Sequence, residues 1–260
     1  MNATSFRQMV WAELLRIRRR RSIVAIAAFF TIGVMAIYFG ISEIQHLADP
    51  NRYGPAGGID NFNRATVILA IFFGSLSAIL LGTEAGTTDT SSGVFRDVVV
   101  TGRERLWLFA VRVPAALIVT IALCLAALGL SLAAAYGFAG GRPAPSASYA
   151  LDSVLWVCTA EAVLCVIAVG LGSLTGSRAS SLTALIGWQL IAGRLLAMIT
   201  FLGSARDVIP NVALGALKPG EQLPDTNGVT MSAGLAVMVL AIWLLAWIGA
   251  GAWRTRTRDA

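Results

Sequence analysis

Side chains able to do acid–base, nucleophilic or metal chemistry are few in this chain, and they are scattered. His46 is the sole histidine and Lys218 the sole lysine among 260 residues. A Ser-His-Asp arrangement would have to form around His46 in a polar loop, and clustered histidine ligands cannot occur. Lys218 is followed by Pro219 and lies in no G-x-x-x-x-G-K-[ST] sequence. The chain therefore lacks a phosphate-cradling loop of the usual kind and is not expected to hydrolyse ATP itself. Cys124, Cys158 and Cys165 all fall in apolar runs and read as packing residues, so no metal site is expected. No apolar run holds the paired aspartates that an intramembrane aspartyl protease needs. Two features remain to be explained. One is the pair of charges deep in apolar sequence, Glu161 and Arg194. The other is a block of five charged residues between Arg96 and Arg105 in GVFRDVVVTGRERLWLFAVRVPAAL, residues 93–117.

The elements that must position these groups follow from composition. The chain is 57% hydrophobic and only 13% charged, against about 25% charged in a soluble domain. Most of it is expected to be solvated by lipid, with no separate aqueous domain. A bilayer core of ~30 Å needs ~20 apolar residues in a helix. Six runs qualify, at roughly 22–42, 64–83, 107–138, 152–174, 180–203 and 231–252. The third is overlong and is expected to protrude. Six spans put both termini on one side. With the N-terminus inside, the inner segments carry fourteen basic residues and the outer segments five, so both termini are expected to be cytoplasmic. The same pattern explains the net charge of +6 as membrane-flanking arginine, and no nucleic-acid partner is expected.

Residues 1–21 read as an interfacial elbow helix. Phe6, Met9, Val10, Leu14 and Ile17 recur at helical spacing, with Trp11 nearby and arginine on other faces. Ser5 and Gln8 fit a capping box. The run after Arg18–Arg21 is too long for a signal core and lacks a cleavage site directly after it, so it reads as a retained span. The outer segment 204–230 has an apolar middle that is expected to dip toward the membrane, broken into short pieces by Pro210, Pro219 and Pro224.

The segment 84–106, between spans two and three, is polar and rich in helix signals. Asp89, Thr90, Ser91 and Ser92 are N-cap types. Val94, Phe95, Val98 and Val99 could form one apolar face. Thr101 and Gly102 interrupt it, and Thr101 with Glu104 fits a second capping box. Arg103, Arg105 and Arg112 are expected to snorkel to the lipid headgroups. Glu161 and Arg194 each lie about eight residues from the outer end of their span, which is ~12 Å of depth. Spans four and five are joined by a short loop, so an ion pair facing the bundle is expected, flanked by Cys158 and Cys165. A lone charge there would cost at least ~2.5–3.5 kcal/mol.

The 84–106 segment resembles the corresponding loop of ATP-binding-cassette exporter permeases of the second class, the six-span drug and lantibiotic exporter type. The matching positions are Asp89, Gly93, Val94–Val100 (including Phe95, Arg96 and Val98), Thr101–Gly102, Arg105 and Arg112. Thr101 stands where many relatives have Pro, and Arg112 where many have Lys. The resemblance implies an all-α integral membrane fold with six transmembrane helices, an N-terminal interfacial helix, a cytoplasmic coupling helix and broken outer helices between spans five and six. It implies one permease domain over 1–260, in a bacterial cell membrane, pairing with a second permease copy or a homologous permease. It implies two partner ATPase subunits that bind ATP and Mg, with no cofactor in this chain. The cargo would be amphipathic: a drug, a peptide antibiotic or a lipid-like molecule moved outward. A secondary transporter, or a non-transporting immunity or scaffold protein, are the alternatives.

Overall fold

The computed structural model describes residues 3–91, 105–220 and 231–257. Every regular element in these residues is helical. Six helices are long and apolar enough to cross a membrane: Arg21–Ala48, Ile59–Thr88, Leu106–Gly137, Ala147–Thr175, Arg178–Met198 and Ala233–Thr257. They are spans one to six below. In lipid the backbone must satisfy its own hydrogen bonds, which is why apolar runs of this length become helices. Span one runs on to Ala48 and span two starts back at Ile59, so the polar segment between them is shorter than the apolar pattern implies.

Three spans are not plain α-helix. Span one contains a π segment at Phe29–Gly33, span two at Ile68–Phe73 and span five at Trp188–Ala192. The π segment of span two touches those of spans one and five. The α-helix of span three is interrupted at Val111, between helices Arg105–Ala110 and Arg112–Gly137. Pro114 is the cause: it has no N–H for the carbonyl of Ala110, and its ring crowds that carbonyl. Span four is α-helix without interruption over Ala147–Thr175. Ser146 caps its start by accepting from the Tyr149 N–H at 3.3 Å, and Gly176, at φ 67°, stops it in the left-handed region.

Spans two and four form the centre and make the most extensive helix pair. In lipid there is no hydrophobic drive between helices, so close backbone approach and packing must hold them. Span two supplies that approach at Gly82 and Gly86. A Cβ at Gly82 would lie 2.4 Å from the Cys165 carbonyl oxygen, and one at Gly86 would lie 2.6 Å from that of Val169. Span six meets span four in the same way at Gly170, where a Cβ would lie 2.4 Å from the Trp247 carbonyl oxygen. The first core layer packs Met35, Phe39, Leu69, Ile79, Leu128, Val157 and Ile167; the second packs Ile23, Leu81, Ala115, Ala116 and Val169.

The N-terminal helix, Ala3–Arg19, lies across the start of span three. Met9 packs with Leu108 and Val111, while Leu14 and Ile17 join the second core layer. Trp11 and Leu15 stay exposed. Ser5 lies inside this helix, not at its cap, because the helix already includes Ala3. At the opposite end of the bundle the loops interlock: the N–H of Gly57 donates to Phe138 O at 2.8 Å and that of Ile59 to Pro143 O at 2.9 Å. Part of the segment 204–230 folds back against the bundle. A short helix, Pro210–Ala216, starts with proline at its first position and buries Val212, Ala213 and Leu214. The indole N–H groups of Trp156 and Trp243 donate to Leu214 O and Val208 O, at 2.7 and 2.8 Å, and pin it down.

Candidate functional site

Glu84 lies on the last turns of span two, just before the 84–106 segment leaves the bundle, and is buried. Its Oε1 pairs with Arg20, in the break between the N-terminal helix and span one. Its Oε2 pairs with Arg178, the first residue of span five, at 3.3 Å. Thr88 Oγ1 donates to Glu84 Oε1 at 3.2 Å. Half a turn on, the Gly86 carbonyl accepts from Arg112 Nη1 at 3.4 Å and from Ser173 Oγ at 3.3 Å. Arg112 also donates to Ser173 Oγ at 3.4 Å. One end of span two is thereby tied to the starts of spans one, three and five and to the end of span four. Helix packing brings this site together, because without a Cβ at Gly82 and Gly86 span two can press against span four.

Arg112 does not snorkel. It is 3% exposed and inside the bundle, where it donates to Gly86 O and Ser173 Oγ. Of the coupling residues expected from sequence, Gly93, Val94, Phe95, Arg96, Val98, Thr101 and Gly102 lie outside the described residues. Asp89 belongs to the helix Gly74–Ser91. Arg105 opens the helix Arg105–Ala110.

The pair expected between Glu161 and Arg194 does not form. Glu161 is buried, its two carboxylate oxygens have no hydrogen-bond partner among the described residues, and it faces Gly74 of span two. A Cβ at Gly74 would collide with it. Arg194 instead stacks over the Phe72 ring, with Cζ 4.1 Å from the centroid. The half of span five that follows its π segment packs on the helix Pro210–Ala216, and Arg194 there walls a small cavity together with Trp156 and Ala160 of span four. The π segment Trp188–Ala192 lies between the start of span five and Arg194 and shifts the face that follows it, which regular helical spacing does not reveal. Cys124 and Cys158 sit with sulfurs 3.9 Å apart, and Cys165 accepts from Thr120 at 3.4 Å, so all three thiols pack between spans three and four. Among the described residues no group of three His, Cys, Asp or Glu could hold a metal ion.

A second feature lies where the π segments of spans two and five meet. A cavity of about 40 Å³ is walled by Ile71, Trp156, Ala160, Leu214 and the polar side chains Gln189, Arg194 and Asn211. The Gln189 amide N–H donates across it to Ile71 O at 3.4 Å. Neither Glu84 nor Gln189 stood out in the sequence as a site residue. A signal for the first exists: Gly82-Thr-Glu-Ala-Gly86 is a G-x-x-x-G pattern in an apolar run, which marks a close helix contact and places Glu84 beside it. No signal marks Gln189, whose partners are set by a π segment that hydropathy does not reveal. In comparison with known proteins, the chain matches no protein-family model and no curated protein.

Proposed function

We propose that this chain is the membrane-embedded permease subunit of an ATP-driven exporter, with ATP and Mg held by separate ATPase subunits docked on the 84–106 segment. The observation that carries the reading is the Glu84 and Gly86 network. The first residues of that segment are fastened to four other spans. A push on the segment would therefore move span two together with its neighbours and would not be lost in a loose loop. The resemblance of residues 89–112 to second-class exporter permeases supplies the partner and the outward direction. Both termini would then lie on the ATPase side. Spans one, five and six leave most of their surface uncovered, which fits lipid on some faces and a second permease on another.

The test is co-purification and coupled ATPase activity. Phe95→Asp should leave membrane insertion intact and abolish stimulation of a co-expressed ATPase by this chain. An ATPase that neither associates with the wild-type chain nor responds to it would overturn the reading.

A second reading is favoured by one observation, the buried, unpartnered carboxyl of Glu161. Intramembrane carboxylates of this kind serve ion-coupled transporters. Glu161→Gln separates the two. An exporter driven by ATP should keep at least half its transport rate, and an ion-driven transporter should lose nearly all of it.

A further inference from the structure

Gln189 is 3% exposed, and its Oε1 has no hydrogen-bond partner among the described residues. Asn211 Oδ1, also on the cavity wall, has none either. Two acceptor oxygens held out of water this way leave an interaction unmade, and such groups are normally paired. The rest of the wall is apolar apart from the Arg194 guanidinium, which lies over the Phe72 ring. A cationic head group would be repelled by Arg194 and an anionic one by the two acceptor oxygens, so the group that fits is neutral and donates hydrogen bonds. The volume of about 40 Å³ takes a few water-sized groups, since one water needs roughly 10–15 Å³. That suits a hydroxyl or a primary carboxamide.

Asn211 also lines a second void, an apolar groove of about 290 Å³ between spans four, five and six. Its walls include Leu171, Leu185, Trp188, Trp243 and Trp247. Trp188 opens the π segment of span five and stands next to Gln189, and its ring lies 5.9 Å from that of Trp243. Polar head space and apolar chain space thus adjoin at one residue.

We propose that these two voids form one binding site for a single-chain amphipath with a neutral, donor-bearing head. The head sits between the π segments on Gln189 and Asn211, and the chain lies in the tryptophan groove. The role of this ligand as cargo rests on the exporter reading; its binding does not.

The test uses the full-length chain in lipid nanodiscs without any ATPase. The probe is a ten-carbon primary carboxamide brominated near its methyl end, and the control is the methyl ester of the same brominated acid, which cannot donate. Bromine beside Trp188, Trp243 and Trp247 should quench their fluorescence. The carboxamide should quench saturably, with the ester about tenfold weaker, the loss expected when a buried acceptor goes unmade. Gln189→Met should bring the carboxamide down to the level of the ester. Ala184→Phe, which fills the groove from its exposed rim, should weaken both probes and leave the thermal unfolding temperature unchanged. Equal quenching by carboxamide and ester, or an unaltered preference in a folded Gln189→Met protein, overturns the site and leaves the exporter reading intact. With a partner ATPase co-reconstituted, ATP should speed release of the carboxamide; release unaffected by ATP in a complex that hydrolyses it overturns the cargo role. Failure of any ATPase to associate appears in the co-purification and leaves the quenching result readable.

Discussion

At the scale of single residues, Glu84 carries an asymmetry. Its carboxylate is buried, while the side chains of Arg20 and Arg178 are 38% and 40% exposed. Removing the carboxylate withdraws the shared partner of both arginines, whereas removing one arginine leaves the other in place and only a partly screened pair is lost. Glu84→Gln is therefore expected to lower stability by about 1–3 kcal/mol, and Arg20→Gln or Arg178→Gln each by about 0–1 kcal/mol. Thermal unfolding of the three variants in one detergent checks the order; equal losses would show that Glu84 holds nothing together. Sequence reading caught the two deep charges but not this network. Glu161 and Arg194 are conspicuous because their surroundings are apolar for many residues either way. Glu84 sits at the end of an apolar run, where a carboxylate looks like ordinary loop chemistry. Only the contact between helices shows that water is excluded there.

At the scale of elements, the glycines of the central pair make contrary predictions from one residue type. A Cβ at Gly86 would meet backbone, the Val169 oxygen at 2.6 Å and the Ser173 nitrogen at 3.0 Å, and neither can swing aside. Spans two and four would have to separate, and the bonds from Arg112 and Ser173 to the Gly86 carbonyl would stretch. Gly86→Ala should cost about 1–3 kcal/mol. Gly129, in span three, has nothing near the corresponding position, so Gly129→Ala should be neutral or stabilise by about 0.5–1 kcal/mol through helix propensity. Paired unfolding curves decide it, and similar effects at both sites would deny the close approach. The existence of all six spans was legible, since length and hydropathy are enough. Pro210 marked a break in the segment after span five, and a short helix starts there. The interruption of span three follows from Pro114, though hydropathy shows only the excess length of that run. The π segments were not legible, because a wide turn costs one extra residue and leaves hydropathy unchanged.

For the whole molecule, those three π segments have a consequence for how the chain tolerates change in length. A π segment behaves as one residue inserted into an α-helix. Spans one, two and five therefore each carry a spare residue, and the helix faces before and after it are already aligned with their neighbours. Deleting that residue should close the wide turn to an ordinary one and keep both halves of the span in phase. Span four has no such reserve over Ala147–Thr175. A deletion at Val163 would swing everything beyond it by about 100°, the angle one residue occupies at 3.6 per turn. Glycines 170 and 172 and Ser173 would leave their partners on spans two and six. Loss of one residue from 29–33 should thus preserve folded, membrane-inserted protein, while loss of Val163 should abolish it, as size-exclusion profiles of the extracted proteins would reveal. Over evolutionary time the same property makes the mid-membrane stretches of spans one, two and five the places where this bundle can gain or shed a residue without being rebuilt.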